Sequence, residues 1–387
     1  MRVDLKGRYP ALPYLYDRAR ARIPHFAWEY LESGTGPETL LTRNRAALDA
    51  VRLTPQVLAG NYVPDVSTTL FGKTYSVPFG AGPVGLTGLM WPGAELMLAR
   101  TAARKGMPFG LSGVATETPE AVAALADGNA WFQLYTPSDN SIRRDLLRRC
   151  QAVGIETLLV TVDVPLNSTR ERQSRVGLSV PPKMTPLTIF RAAMRPAWSL
   201  ATLRHGIPRF KSLEPYMDLG HMSTGGAAQM VGRIVDGRPT WDTMRKIREE
   251  WPGNLVIKGL LRPEEAAKAI EIGADGIVVS NHGARQFDAC PASIEVLPSI
   301  VAEVSGRIPI LFDSGIEWGL DIIRALALGA DFCLLGRGFL MAVAALGERG
   351  GDHAYDILRA DVENNMVQLG VRTISELRNL DIHVDPL

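Results

Sequence analysis

The chain has 387 residues, 46% of them hydrophobic and 21% charged, with a formal net charge of +1. That is enough chain for one large core or two modest ones, and it lacks the basic excess that general nucleic-acid binding requires. The three cysteines have no metal-type spacing, the opening MRVDLKGRYP has no apolar secretory core, and no uncharged run reaches the roughly 20 apolar residues of a membrane span.

Residues 1–75, with ARIPHFAWEYLESGTGPETLLTRNRAAL at their centre, read as a helical lead without a strand-like run. From residue 76 a rhythm sets in. Short apolar runs end in Gly or a polar residue: SVPFGAGPV (76–84), MPFGLSG (107–113), AWFQLY (130–135), TLLVTVDVP (157–165), NLVIKG (254–259), DGIVVSNHG (275–283), IPILFDSG (308–315) and FCLLGRG (332–338). Helix-period stretches such as PGAELMLARTAARKG and RPEEAAKAIEIGA lie between them, opening with Pro or Ser and closing with Gly. Continuous apolar strands alternating with amphipathic helices imply a parallel sheet covered on both faces. Eight such units fit a (β/α)8 TIM barrel over 76–340, followed by C-terminal helices over 341–387.

One connection breaks the rhythm. From Leu178 to about Gly226 there is no barrel strand, and 181–211 carries Lys183, Arg191, Arg195, Arg204, Arg209 and Lys211 without one Asp or Glu. Connections of this length are usually functional or disordered.

A barrel of this type assembles its site from the C-terminal ends of the strands. There the sequence places Pro83, Val84 and Gly85; Ser112; Gln133 and Tyr135; Thr161 and Asp163, with Arg170 beyond; Lys258; Ser280, His282 and Arg285; Asp313, Ser314 and Gly315; and Gly336 and Arg337. Each alone has a plain explanation. A lone His is often a satisfied core residue, a Lys closing a strand is a solvated cap, and Arg170 in RERQSR fits an ordinary charged loop. Together they would converge on one mouth, which packing does not explain. GAGPVG (80–85) matches G-x-G-x-x-G after a strand, but MPFGLSG has no acidic residue for a ribose, so a nicotinamide site is rejected.

SNHGARQFD, supported by FQLY, TVDVP, VIKG and ALALGA, resembles the FMN-dependent 2-hydroxy acid oxidising family of glycolate and lactate oxidases, mandelate dehydrogenase and flavocytochrome-type lactate dehydrogenases. The resemblance implies FMN as cofactor and oxidation of an (S)-2-hydroxy acid to the 2-oxo acid. It gives His282 as the base, Asp163 as its orienting carboxylate, Arg170 and Arg285 as a carboxylate clamp, Tyr30 as its helper and Tyr135 as a hydrogen-bond partner of the substrate hydroxyl. For the flavin it implies Ser112, Gln133, Thr161 and Ser280 as polar contacts, Lys258 as the cation near N1, and backbone at Pro83–Gly85 beside N5. The phosphate is expected at Asp313–Gly315 and Gly336–Arg337, and the assembly as a homotetramer.

Two departures stand out. The family's strand-seven motif carries an arginine where this chain has Glu317, in DSGIEW. Gly85 and Val114 are smaller than the residues of glycolate-type oxidases, which suggests room for a larger substrate. MRPAWSLATLRHGIP resembles the segment by which membrane-bound mandelate and lactate dehydrogenases attach to the inner membrane, and across 181–211 the cations are interleaved with Phe190, Trp198, Leu200 and Ile207. The expectation is therefore a cytoplasmic protein, peripheral on the inner membrane through 181–211, that delivers electrons to quinone or another acceptor. The alternative for that segment is a mobile lid. The alternatives for the protein are a peroxide-forming oxidase and a flavin-poor barrel that acts as a binding protein.

Overall fold

Eight parallel strands close into a barrel: β1 (Phe79–Ala81), β2 (Phe109–Ser112), β3 (Ala130–Tyr135), β4 (Thr157–Thr161), β5 (Asn254–Leu260), β6 (Gly276–Val279), β7 (Ile310–Phe312) and β8 (Phe332–Leu335). The computed structural model describes residues 4–166, 168–177, 185–217 and 238–385. Every strand pairs with its sequence neighbours, and β8 closes on β1 with Leu335 opposite Ala81. The fold is the (β/α)8 barrel that the apolar runs announce.

Strand alternation explains both what fills the barrel and what crowns it. Trp131, Leu159, Val256, Val278, Leu311 and Phe332 form one apolar cluster in the interior. Two residues further along five of those strands stand Gln133, Thr161, Lys258, Ser280 and Asp313, which the period of two places on the same side. The intervening Phe132, Leu158, Val160, Ile257, Ile277 and Phe312 belong to the outer core beneath the helices. One pattern thus gives a dry base and a polar top.

The N-terminal lead is not wholly helical, contrary to expectation. Helices α1 (Leu12–Arg22), α2 (His25–Glu32) and α3 (Thr39–Asp49) are followed by Val51–Leu53, which pairs antiparallel with Ile382–Val384 at the other end of the chain. A hairpin of Thr68–Leu70 and Lys73–Tyr75 then sends Leu70 and Tyr75 into the barrel's apolar base, where the Tyr75 hydroxyl accepts from the Trp131 indole at 3.3 Å. These strands span three residues each, too short to show a period of two. The C-terminal stretch, expected to be helical, likewise ends in a strand.

The connection after β4 has no barrel strand among its described residues but is not irregular. It forms helices Glu171–Arg175, Pro186–Ala193 and Pro196–His205 and a 3-10 turn at Glu214–Tyr216. Residues 178–184 and 218–226 of that expected stretch lie outside the described residues.

Candidate active site

A cavity of about 360 Å³ opens at the C-terminal mouth of the barrel. Sixteen of the expected residues line it: Tyr30, Pro83, Val84, Gly85, Gln133, Tyr135, Thr161, Arg170, Lys258, His282, Arg285, Asp313, Ser314, Gly315, Gly336 and Arg337. Ser112, Asp163 and Ser280 stand behind that lining and hold three of its members. Ser112 donates to the Gln133 side-chain oxygen at 2.9 Å, Asp163 bonds His282 Nδ1 at 2.9 Å, and Ser280 Oγ accepts from Lys258 Nζ at 2.8 Å.

The β6 end shows why SNHGA has its composition. His282, Gly283 and Ala284 all have positive φ, at 57°, 62° and 65°. Such a run is unfavourable for the two residues with a Cβ, so the surroundings must hold it. Ser314 Oγ accepts from the Asn281 and Gly283 amides, Ser280 Oγ accepts from the His282 amide, and Asn281 Oδ1 accepts from the Ala284 amide. Asn281 is locked in turn against Asn44 of α3 by two reciprocal hydrogen bonds, Asn44 Nδ2 donating to Asn281 Oδ1 at 3.1 Å and Asn281 Nδ2 to Asn44 Oδ1 at 2.6 Å. This turn aims the imidazole into the cavity.

With Nδ1–H given to Asp163, His282 keeps Nε2 as a base. Burial pushes the imidazole below its ordinary value; Asp163 opposes that, while Lys258 and Arg170 add to it. The ring is therefore neutral and ready to accept a proton. Burial would raise the Asp163 carboxyl, but His282 and Lys258 together hold it below the usual range. Gly259 makes the approach feasible: it has φ +110° at a bulge in β5, and a Cβ there would stand 2.5 Å from Asp163 Cβ. Burial, then Asp163, push the Tyr135 phenol up to about 12, so it stays a donor.

Arg285 and Arg337 are anchored by loop and helix-end backbone. Arg285 Nη1 donates to the carbonyls of Tyr30 and Ser33 at 2.8 and 2.9 Å, and its guanidinium lies 5.3 Å from the Tyr30 ring centroid. Arg337 donates to Leu31, Ser33 and Gly283 carbonyls. The unsatisfied carbonyls at the C-terminus of α2 thus hold two cations, as a helix dipole favours. Arg170 Nε donates to Ser168 Oγ at 2.8 Å and its Nη2 to Gln286 at 3.0 Å. Nearby Arg172 pairs with Glu29, Glu32 and Glu38, so RERQSR ties the N-terminal helices to the site rather than pointing into solvent.

The rest of the lining suits a flavin mononucleotide. The Gln133 amide nitrogen is buried without a partner among the described residues, a donor that can meet an acceptor. Lys258 is 5% exposed and sits 3.0 Å from Asp313; burial would lower its pKa, but Asp313 and then Asp163 hold it above the ordinary value, so the ammonium stays charged. The helix Arg337–Leu346 begins at the end of β8 with no acidic residue in its first turn, so its N-terminus could accept an anion there.

Among the lining residues that escaped the sequence reading are Tyr16, Leu86, Val164, Phe210 and Ile316. Tyr16 lies in an ordinary amphipathic helix, and Phe210 belongs to the long basic connection, so nothing local marks them. Within that connection Trp198 is not interfacial as expected. It is 5% exposed, its indole donates to the Leu89 carbonyl at 3.0 Å, and it packs edge-on against Phe26. Phe190, Met194, Leu200, Leu203 and Ile207 around it are exposed.

A model of the FMN-dependent dehydrogenase family matches residues 19–384. An L-lactate dehydrogenase of Pseudomonas paraeruginosa is 40% identical over 367 residues, 93% of this chain and 94% of the relative. The crystal structure of a monotopic membrane protein, (S)-mandelate dehydrogenase, superposes with a TM-score of 0.92 at 34% identity over 97% of this chain and all of that one. A soluble mutant of the membrane-associated (S)-mandelate dehydrogenase from Pseudomonas putida gives 0.82 at 35% identity, covering 95% and 97% of the two chains. A histidine–aspartate pair, two guanidiniums and a buried lysine around a barrel mouth are thus found in a sequence that belongs, over nearly its whole length, to the FMN-dependent dehydrogenase family.

Proposed function

We propose that this FMN-dependent 2-hydroxy acid dehydrogenase acts on (S)-2-hydroxy acids with a side chain larger than a methyl group, with His282 as base, and passes the electrons to a quinone at a membrane surface. The observation that carries the reading is the His282–Asp163 contact inside a cavity that also presents Arg170 and Arg285.

The substrate carboxylate neutralises the two guanidiniums, which offer paired donors to a planar anion. Its hydroxyl lies between Tyr135 and Nε2 of His282, which takes the hydroxyl proton while Asp163 stabilises the resulting imidazolium. FMN, when bound, supplies the acceptor for the α-hydrogen and its electron pair, leaving the 2-oxo acid. Lys258 provides the fixed positive charge beside the electron acceptor. With the carboxylate, the hydroxyl and the transferred hydrogen each assigned a place, one enantiomer fits.

Gly85 supports the larger side chain. A Cβ there would stand 2.8 Å from Val114 Cγ2 and 3.3 Å from the Tyr30 hydroxyl, so glycine lets these two lining residues pack against the end of β1, whereas any side chain would displace them. The relatives named for lactate and for mandelate bracket the size range. Membrane attachment is supported by Phe190, at 62% exposure, and Leu203, at 83%, flanked by exposed Arg204 and Arg209. Apolar groups interleaved with cations suit the surface of an anionic bilayer. No described helix is long and apolar enough to cross one. A homotetramer is the assembly we infer from the family, and light scattering tests it.

The test is anaerobic mixing of the holoenzyme with paired enantiomers of glycolate-to-mandelate-sized acids (glycolate itself being achiral), followed at the flavin band near ~450 nm. Bleaching by (S)-acids with branched or aromatic side chains supports the proposal. Equal bleaching by (R)-acids, or fastest bleaching by glycolate, refutes it.

A further inference from the structure

The phosphate end of the cavity is built with unusual chemistry. Arg337, which lines the cavity, uses Nε and Nη2 on three backbone carbonyls, which leaves Nη1 without a hydrogen bond among the described residues. Beside it stand two acids, the Glu317 carboxyl and the Tyr16 phenol. Both line the cavity, and neither side chain forms a hydrogen bond or ion pair with another described residue. The other nearby cation, Arg45, is committed to a bidentate bond with the buried Asp321 and to Asp49. A carboxylate and a phosphate side by side would repel each other across a poorly solvated gap.

We propose that Glu317 meets the FMN phosphate as an uncharged carboxylic acid that donates a hydrogen bond, with the Tyr16 phenol as a second neutral donor, so that cofactor binding takes up a proton. This rests on the family assignment of FMN and assigns to Glu317 the selection of the cofactor's phosphate.

The groups facing Glu317 from each neighbouring element bear this out. Tyr16 and Asp17 come from α1, Glu32 from α2, Arg45 and Asp49 from α3, Asp321 from the helix that follows Glu317, and Arg337 from the helix after β8. On the outer side stand Lys6 and, from the helix Gly350–Gln368, Asp356 and Asp361. Arg45 and Arg337 favour the carboxylate, whereas burial, Asp321 and Asp49 favour the acid. The balance raises Glu317 above the ordinary carboxylate range even before a phosphate arrives. Burial and Glu317 itself also raise the Tyr16 phenol, keeping its proton in place.

The sign follows directly. As pH rises through the value of Glu317 in the flavin-free site, that site loses a proton which the complex must recover. FMN affinity then falls by up to about tenfold per pH unit. The second ionisation of the phosphate, near pH ~6, runs the other way because it strengthens the attraction to Arg337.

The experiment is dilution of the full-length holoenzyme between about pH 6.5 and 8.5, with released flavin read by its fluorescence, for wild type, Glu317→Gln and Tyr16→Phe. Wild type should lose affinity by about 10- to 100-fold across this range. Glu317→Gln keeps a neutral donor and should hold FMN with no such loss. Tyr16→Phe should bind several-fold more weakly at every pH with the slope intact. Riboflavin, which lacks the phosphate, should bind the full-length protein without the slope. A flat wild-type profile, or a Glu317→Gln slope equal to wild type, overturns the proposal while leaving FMN as cofactor. Failure of both flavins to bind at any pH would instead strike at the family reading.

Discussion

Replacing Asp163 with Asn tests the base assignment most directly, because the two side chains are nearly isosteric and only the charge is lost. Asp163 Oδ1 lies 2.9 Å from His282 Nδ1, which puts the charge centres of an imidazolium–carboxylate pair about 4 Å apart. At an effective dielectric of about 20, their attraction is about 4 kcal/mol. That attraction exists only once His282 has taken the substrate proton, so its loss falls on the transition state. Allowing for partial charge development, flavin reduction should slow by about 10²- to 10³-fold. Substrate affinity should change little, since Arg170 and Arg285 are untouched. The pH profile gives a second reading. His282 works when neutral, so kcat/KM falls as pH drops through its free-enzyme value, already below the ordinary one because of burial. Asp163 opposes that depression, so Asp163→Asn should move the acid limb to still lower pH. Anaerobic stopped-flow reduction of bound flavin measures both. A rate within about threefold of wild type, or an acid limb moved upward, would refute the pairing of His282 with Asp163 as the proton-accepting unit.

Gly259→Ala should reproduce part of this effect from outside the pair, because its Cβ would stand 2.5 Å from Asp163 Cβ and Cγ at a φ of +110°; slower flavin reduction with a displaced acid limb is the expected result. Lys258→Met leaves the half-buried Asp313 without its 3.0 Å partner, though with its bond from Ser314, and should lower stability by about 1–2 kcal/mol and shift the flavin potential to more negative values, read by thermal unfolding and by dye equilibration. Gly85→Ala would put a Cβ 2.8 Å from Val114 Cγ2 and 3.3 Å from the Tyr30 hydroxyl and so displace these lining residues, and should depress kcat/KM for mandelate-sized acids more than for lactate. Phe190→Glu combined with Leu203→Glu should abolish sedimentation with anionic vesicles while dye-linked activity survives, since both side chains are exposed.

How far the sequence carries the fold and the site depends on how local the causes are. The barrel strands were legible because each is a continuous apolar run closed by Gly or a polar residue, and the polar crown was legible because a period of two extends from the buried run into the loop. His282 and Arg285 followed from one octet. The base of the barrel was hidden: the hairpin at 68–75 is too short for periodicity, and only its packing of Leu70 and Tyr75 against Trp131 and Phe332 reveals it. Trp198 was misread because its hydrogen bond to Leu89 spans 109 residues of chain. Tyr16 and Phe210 were missed for the same reason, being brought to the cavity by helix and loop docking rather than by a strand end.

The charge balance of the site explains why so much backbone is invested in it. Arg170, Arg285, Arg337 and Lys258 converge there, against Asp163 and Asp313. Burial pushes Arg285 and Arg337 below the ordinary guanidinium value, and the proximity of Arg170 adds to this in both. Such a cluster is unfavourable until anions arrive, and both ligands implied by the family bring one, the phosphate at the Arg337 end and the carboxylate at the Arg285 end. Until then the carbonyls of Tyr30, Leu31 and Ser33 hold the two half-buried arginines in place. The end of α2 is therefore a fixed counter-dipole that lets the site form before either ligand binds, and the reorganisation that would otherwise accompany each turnover is avoided. It also couples the two ends: Ser33 accepts from both Arg285 and Arg337, so a shift of that one carbonyl would disturb cofactor and substrate together.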